Sequence, residues 1–411
     1  MNKKNIIIII AIVCLFVLFI TFSMTRKSDI SEKEIVFWTL QMNDFTPYMT
    51  DVISKYEYEH PDIKVKWIDV PFSEGEKRTL AAILSNNPPT LVNLNPDFSN
   101  ILAQRGALEE IPIDKLADYN KSLLKSLEVD GKMYAIPWYA TSAVTIYNKS
   151  LLSKAGFLMP PVTYEHYMQY AKDVKDKTGA YIFMPTITEN DTMLKILNKF
   201  GINSPNKLSK KEAVDIFNFY KKLYKEDLIP KETITQTHRE ALEKYMSGTV
   251  VTLQAGANFL NMIRENSPAV YKKSDVAHQV TGKLGQYDFS MMNFVIPKRA
   301  KNKDIALDFA LYLTNEQNQL TLAKMTNIIA TNDKALKNEY YTKYDNADLM
   351  AKARVISAKQ LDKVEPVYKS QKSQKELNTV INTAVQMILI DNADTKKVLE
   401  SASKKWSNLN E

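Results

Sequence analysis

Three short runs decide the fold: IVFWTL at Ile35–Leu40, IKVKWI at Ile63–Ile68 and LVNL at Leu91–Leu94. Each reads as a strand, and a helical pattern lies in each gap between them. Thr46 is placed to cap the first helix, with Pro47 in its first turn. Met49, Val52, Ile53 and Tyr56 then share one face. Ser73-x-x-Glu76 reads as a capping box opening a second helix through Leu80, Ile83 and Leu84. The order β-α-β-α-β, with crossovers of this length, predicts parallel strands and an open α/β sheet.

Working outward, Asp130-Gly131 is a turn pair, and Met133–Ile136 follows it as a strand. A second strand is expected at Ala143–Tyr147, ending at Asn148-Lys149, with Trp138, Tyr139 and Thr141 in the turn between. Gly156 marks a helix stop, and Pro160-Pro161 before Thr163 marks the entry to the next helix. There Tyr164, Tyr167, Met168 and Ala171 share a face. Ser209-x-x-Glu212 is expected to cap a helix carrying Ala213, Ile216, Phe217, Tyr220 and Tyr224. The tyrosines at helical spacing read as packing. Ile305, Phe309 and Leu313 line a later helix, and Glu376–Leu389 and Lys397–Leu409 read as helices. There is no internal repeat.

Composition fits an exported globular protein. The chain has 411 residues, 45% apolar and 25% charged, which is ordinary for a folded chain and long enough to split into two lobes. The net charge of +7 is spread among interspersed lysines and acids, so no stripe for nucleic acid exists. The single cysteine, Cys14, leaves the folded part without a disulfide or thiol chemistry.

Asn5–Thr25 carries no charge and is almost wholly Ile, Val, Leu and Phe, between Lys3-Lys4 and Arg26-Lys27. Residues 1–27 are therefore a signal peptide or membrane anchor. Twenty residues at about 1.5 Å each reach roughly 30 Å, enough to span the hydrocarbon core. The exit at Ser23-Met24-Thr25 is poor, and Cys14 lies inside the run, so an uncleaved anchor without a lipidated cysteine is expected.

The order and spacing of DGKMYAIPW from Asp130, YNK from Tyr147, AG at Ala155 and PPVTYE from Pro160 resemble those of the extracellular solute-binding proteins of ABC importers, in the family that mostly binds sugars. Further likeness lies in Ile35–Thr39, PDIKV from Pro61, Pro88-Pro89-Thr90 before LVNLN, Gly106-Ala107-Leu108, YMSGTVVTLQAG from Tyr245 and VIPKRAKNKDIALDFALYLTNEQNQ from Val295. Thr90 stands where the family usually has Asp. Ala255–Asn258 replaces its usual aromatic, and Tyr287–Met292 replaces a Gly-rich pair. The resemblance implies a periplasmic-binding-protein-like fold, two α/β lobes with an interlobe cleft and hinge, behind an N-terminal transmembrane or signal helix. Residues 30–411 would form the solute-binding domain: one lobe about 30–139 and 294–331, the other about 142–292 and 332–411.

In open α/β sheets ligands sit beyond the carboxyl ends of strands. The candidates there are Gln41 and Asn43 after the first strand, Asp97 after the third, Trp138, Tyr139 and Thr141 in the turn, Glu189 and Asn190 after Tyr181–Pro185, and Gln254 and Asn258 after Val250. Asp97 is equally a candidate helix cap, and Trp38, inside a strand, reads as core rather than platform. Carboxylates, amides and aromatics together suit a sugar, whose hydroxyls donate and accept while its C–H face lies on a ring. Trp138 is the expected stacking platform. No HExxH, G-x-S-x-G, P-loop or G-x-G-x-x-G is present, and the four histidines have no metal-ligand spacing. No enzyme, metal or cofactor is expected. The partners implied are a sugar or oligosaccharide, the ABC permease subunits and, through the N-terminal segment, the membrane; a monomer is expected. The alternative is an anchored glycan-sensing protein not coupled to import.

Overall fold

The computed structural model describes residues 33–364 and 374–409. The apolar run at 5–25, Cys14 and the expected anchor lie outside them. Among the described residues no helix is long and apolar enough to cross a membrane.

β1 (Lys33–Leu40) pairs in parallel with β2 (Ile63–Val70) along its whole length, Lys33↔Ile63 to Leu40↔Val70. On its other side it pairs in parallel with β3 (Leu91–Leu94), Phe37 opposite Leu91. Helices Thr46–Glu59 and Phe72–Leu84 make the crossovers, as the periodicity predicts. Three expected caps are displaced. A 3-10 turn, Asn43–Phe45, runs straight into the first helix, so Thr46 is helical and its hydroxyl donates back to Asn43 O at 2.5 Å. The second helix starts at Phe72, directly after Pro71, which puts Ser73 inside it. Ser209 closes the short helix Pro205–Leu208 instead of opening helix Lys211–Lys225, because that preceding turn captures it first.

Asp130 (φ 51°) and Gly131 (φ 76°) form the expected tight turn, joining β4 (Glu128–Val129) to β5 (Lys132–Met133). The next expectation fails. Instead of two strands with a turn at 138–141, one strand, β6 (Ile136–Asn148), runs unbroken. No turn is needed because every part of it finds a partner. Ala143–Asn148 pairs with β7 (Thr252–Gly256) and β8 (Ser274–Ala277). Ile136–Ser142 pairs with β9 (Phe289–Val295), and Tyr139 and Ala140 with β10 (Ile329–Ala330). A register slip between Pro137 and Tyr139 falls where proline lacks the N–H that a regular ladder requires. The main sheet has the order β10-β6-β9-β3-β1-β2.

Burial follows this handover of partners along β6. One core draws on residues 35–140 and 291–341, with Leu361 and Val364. Its centre is aromatic: Phe37 meets Phe294 and Phe309 edge-on at 5.6 and 5.5 Å, geometry that ring quadrupoles favour. A second core joins Tyr147, Tyr167, Phe217 and Tyr220 to the C-terminal helices Gln374–Leu389 and Thr395–Leu409 through Leu377, Ile381 and Trp406. A third lies under β7 and β8, where helix Leu349–Gln360 contributes Ala353 and Ile356.

Candidate ligand-binding site

A cavity of about 750 Å³ opens where β6 changes partners, at Thr141, Ser142 and Ala143. That volume lies within the usual range for small-molecule sites. Its walls come from the side of the second and third cores, with Thr326–Ile328 and β9 residues Phe289 and Ser290 facing from the first.

Helix Tyr164–Thr178 buries Tyr167, Ala171 and Val174 in the second core. Tyr164, one turn before Tyr167, lies on the same stripe and lines the cavity with it. Tyr167 stacks flat on Phe183 at 3.9 Å. A turn then presents Glu189, Asn190 (φ 51°) and Asp191. It is held from outside by the Asn382 side-chain amide, which donates to Thr188 O at 2.9 Å. Glu189 Oε2 accepts the His238 backbone N–H at 2.8 Å. Asp191 pairs with Lys195 one helical turn on, at 3.2 Å. Burial of the His238 ring lowers its pKa, against a smaller upward pull from Glu189.

β7 supplies the back wall. Gln254 donates to Thr145 Oγ1 at 2.8 Å and to the Tyr167 hydroxyl at 3.2 Å, and it accepts from Val280 N at 3.2 Å. Its amide thus braces the wall. At the strand's end Asn258 folds back over Gly256, where an added Cβ would stand 2.5 Å from Asn258 Oδ1.

Lys199 is buried in the wall, at the end of helix Thr192–Lys199 and 1% exposed. Its ammonium reaches Asp288 Oδ2 at 2.8 Å, Gln279 Oε1 at 3.1 Å and Val280 O at 3.3 Å. Three acceptors use all three of its protons, which is what a buried ammonium requires. Gly282 permits this packing, since a Cβ there would come within 2.6 Å of Lys199 O. Gln279 also accepts from Asp288 N at 2.6 Å, and its own N–H goes to Gln360 Oε1 at 2.7 Å. Gln360 in turn donates to Ser142 Oγ at 2.8 Å. This chain of bonds ties the cavity wall to β6. The Tyr220 hydroxyl is buried and has no hydrogen-bond partner among the described residues.

Of the ten residues expected at a site, Thr141, Glu189, Asn190, Gln254 and Asn258 line this cavity, and Gln41, Asn43, Asp97, Trp138 and Tyr139 do not. Gln41 (φ 52°) and Asn43 are exposed beyond β1. Asp97 is exposed in the first turn of helix Pro96–Gln104, whose cap is Asn95, accepting from Phe98 N at 2.8 Å. Tyr139 is half-buried, its hydroxyl 4.0 Å from Met42 Sδ. Trp138 is the clear correction. It is 0% exposed, stacked on Phe294 at 4.5 Å in the first core. The continuous strand turns its side chain inward, where a turn would have presented it to solvent. Trp38 is half-buried against that same core. Lys199, Asp288 and the tyrosines 164, 167 and 220 were not among the expected site residues. A lysine or tyrosine on a helix carries no mark of what faces it.

Residues 51–351 match the family model described as bacterial extracellular solute-binding protein. The chain belongs to that family. A curated relative in this group, the galactooligosaccharide-binding protein of Bacillus subtilis, is 23% identical over 93% of this chain and 90% of its own length. Among solved structures, a protein assigned as oligosaccharide periplasmic-binding from Synechococcus sp. MITs9220 superposes with a TM-score of 0.80 at 27% identity, covering 92% of this chain and 98% of that one. The maltose-binding protein MalE of Listeria monocytogenes, in complex with maltose, gives a TM-score of 0.75 at 20% identity over 92% of this chain and 98% of its own. The solute-binding protein described here therefore has the periplasmic-binding-protein-like α/β fold. Its family is one of binding proteins and is extracytoplasmic.

Proposed function

We propose that this protein is the extracytoplasmic binding component of an ABC importer, and that it takes a sugar or oligosaccharide into the cavity at the β6 handover. The observation that carries this reading is the make-up of the wall. Aromatic faces at Tyr164, Phe259 and Phe289 stand with Glu189, Asn190 and Asn258 around one space. A carbohydrate requires both: flat apolar surface for its C–H face and acceptors and donors for its hydroxyls. Relatives named for galactooligosaccharide, arabinooligosaccharide and diacetylchitobiose support it.

On this reading the first core is one lobe, and the second and third cores together are the other. They share β6 and are joined again at 278–289 and near Gln360. A ligand touching both would shift the population toward a closed form, which would dock on the permease. Residues 1–27 would hold the protein at the outer face of the membrane. The test is a thermal-shift screen of the full chain, in a detergent without a sugar headgroup, against mono- and oligosaccharides. A saturable rise in midpoint with at least one sugar is expected; none across the panel would sink the proposal.

A further inference from the structure

On the side of the first core, the cavity is lined by polar side chains that the protein itself does not use. β6 and β9 are antiparallel, and Thr141 stands directly opposite Ser290. Residues opposed in this way point to the same face of the sheet. Here that face is the cavity: both residues are exposed and both line it. The neighbouring pair, Ala140 and Met291, points the other way and is buried. Neither the Thr141 nor the Ser290 hydroxyl has a hydrogen bond among the described residues. Opposed Cβ atoms lie about 4.5–5.5 Å apart, and a hydroxyl–hydroxyl bond spans about 2.7–2.8 Å. One ligand hydroxyl therefore fits between the two, donating to one and accepting from the other.

A third polar group arrives from the other edge of β6. Ile329 and Ala330 of β10 pair with Ala140 and Tyr139, which brings 326–328 up beside Thr141. Tyr341 fixes this segment, its hydroxyl donating to Ile328 O at 3.0 Å and accepting from Ala330 N at 2.9 Å. Asn327 ends helix Glu316–Thr326 in the left-handed conformation, φ 58°, with its N–H on Ala323 O at 2.9 Å. Glycine is the ordinary residue at such a position. Asn327 instead adds a half-buried side-chain amide to the cavity lining, and that amide has no hydrogen bond among the described residues. Across the cavity, by contrast, Gln254, Lys199 and the Asp191–Lys195 pair are already engaged within the protein.

We propose that Thr141, Ser290 and Asn327 form a subsite on the first lobe that reads the hydroxyls of one sugar ring, with Thr141 and Ser290 gripping a single ligand hydroxyl between them. This rests on the carbohydrate-binding reading above. The test is titration calorimetry of the full chain, in a detergent without a sugar headgroup, with maltotriose, galactotriose and diacetylchitobiose. The variants Thr141→Val, Ser290→Ala, their double and Asn327→Gly are then measured with whichever sugar binds. Each single variant should weaken binding about three- to tenfold, the size of one neutral hydrogen bond. The double variant should weaken it by clearly less than the product of its two singles, because both hydroxyls hold the same ligand group. Asn327→Gly keeps the left-handed backbone and removes only the amide. Ligand-free melting midpoints should stay within about 2 °C of the parent's for all four, since no contact within the protein is lost. Unchanged affinity in the three single variants overturns the inference, as does a double variant equal to the product of its singles. Affinity lost together with a fallen ligand-free midpoint marks a structural role and overturns it too. If none of the three sugars binds the parent, the carbohydrate reading itself falls, and this one with it.

Discussion

At the scale of single residues, Lys199 and Asp288 show how unequal the partners of one ion pair are. Lys199 is buried at 1% exposure and Asp288 is 33% exposed. Removing the carboxylate strands a buried ammonium, whereas removing the lysine leaves a carboxylate that water can reach. Asp288→Ala should therefore cost about 3–5 kcal/mol in denaturant unfolding, clearly more than Lys199→Met; equal costs would contradict this account. Trp138→Ala should cost about 3–5 kcal/mol through its cavity in the first core, read from the shift of the unfolding midpoint. A folded, undestabilised Trp138→Ala protein would deny its burial. His238 and His278 both have pKa values lowered, first of all by burial. The unfolded chain takes up protons in the ordinary imidazole range that these rings refuse. Stability should thus be full above that range and fall as pH drops through it. Unfolding midpoints of a His238→Gln, His278→Gln double variant between pH 7.5 and 5 should decline less steeply than the parent's.

Among the elements, β6 carries the architecture. Its thirteen residues belong to two sets of partners, and the cavity lies where they change. Gln360, fully buried, guards that point by accepting from Gln279 N and donating to Ser142 Oγ and Ala143 O at 2.7–2.8 Å. Gln360→Leu would orphan buried backbone groups at a cost of about 1–3 kcal/mol each. Hydrogen exchange should then quicken at 142–143 and 279–280 while β1 and β2 stay protected. Uniform protection would show that the amide is dispensable.

For the whole molecule, the family assignment and the fold point to a receptor whose stability is linked to its ligand. A sugar at a hundredfold its Kd should add about 2.7 kcal/mol. The N-terminal segment belongs to this scale as well, because on the proposed reading it would decide where the receptor works. Mass spectrometry of membrane-extracted protein is expected to find Met1–Arg26 retained and Cys14 without lipid. A mature N-terminus near residue 26 would show a cleaved signal instead.

Local pattern alone determined the α/β class, the parallel pairing of β1 with its neighbours, the Asp130-Gly131 turn and the helical faces from Tyr164 to Leu313. Those features depend on residues close in the chain: strand runs, apolar spacing and turn chemistry are written in consecutive positions. Pairing partners and opposing walls are not. The stretch holding Trp138, Tyr139 and Thr141 reads as a turn until β9, β10, β7 and β8 are seen to satisfy the backbone around it. Trp138 suggests a platform until Phe294, far along the chain, is found beneath it. Tyr164, Tyr167 and Tyr220 show a packed face, yet whether that face meets core or cavity was decided by tertiary structure alone. Lys199 depends on Gln279 and Asp288, some eighty or more residues away, and a buried charge is defined by its partners.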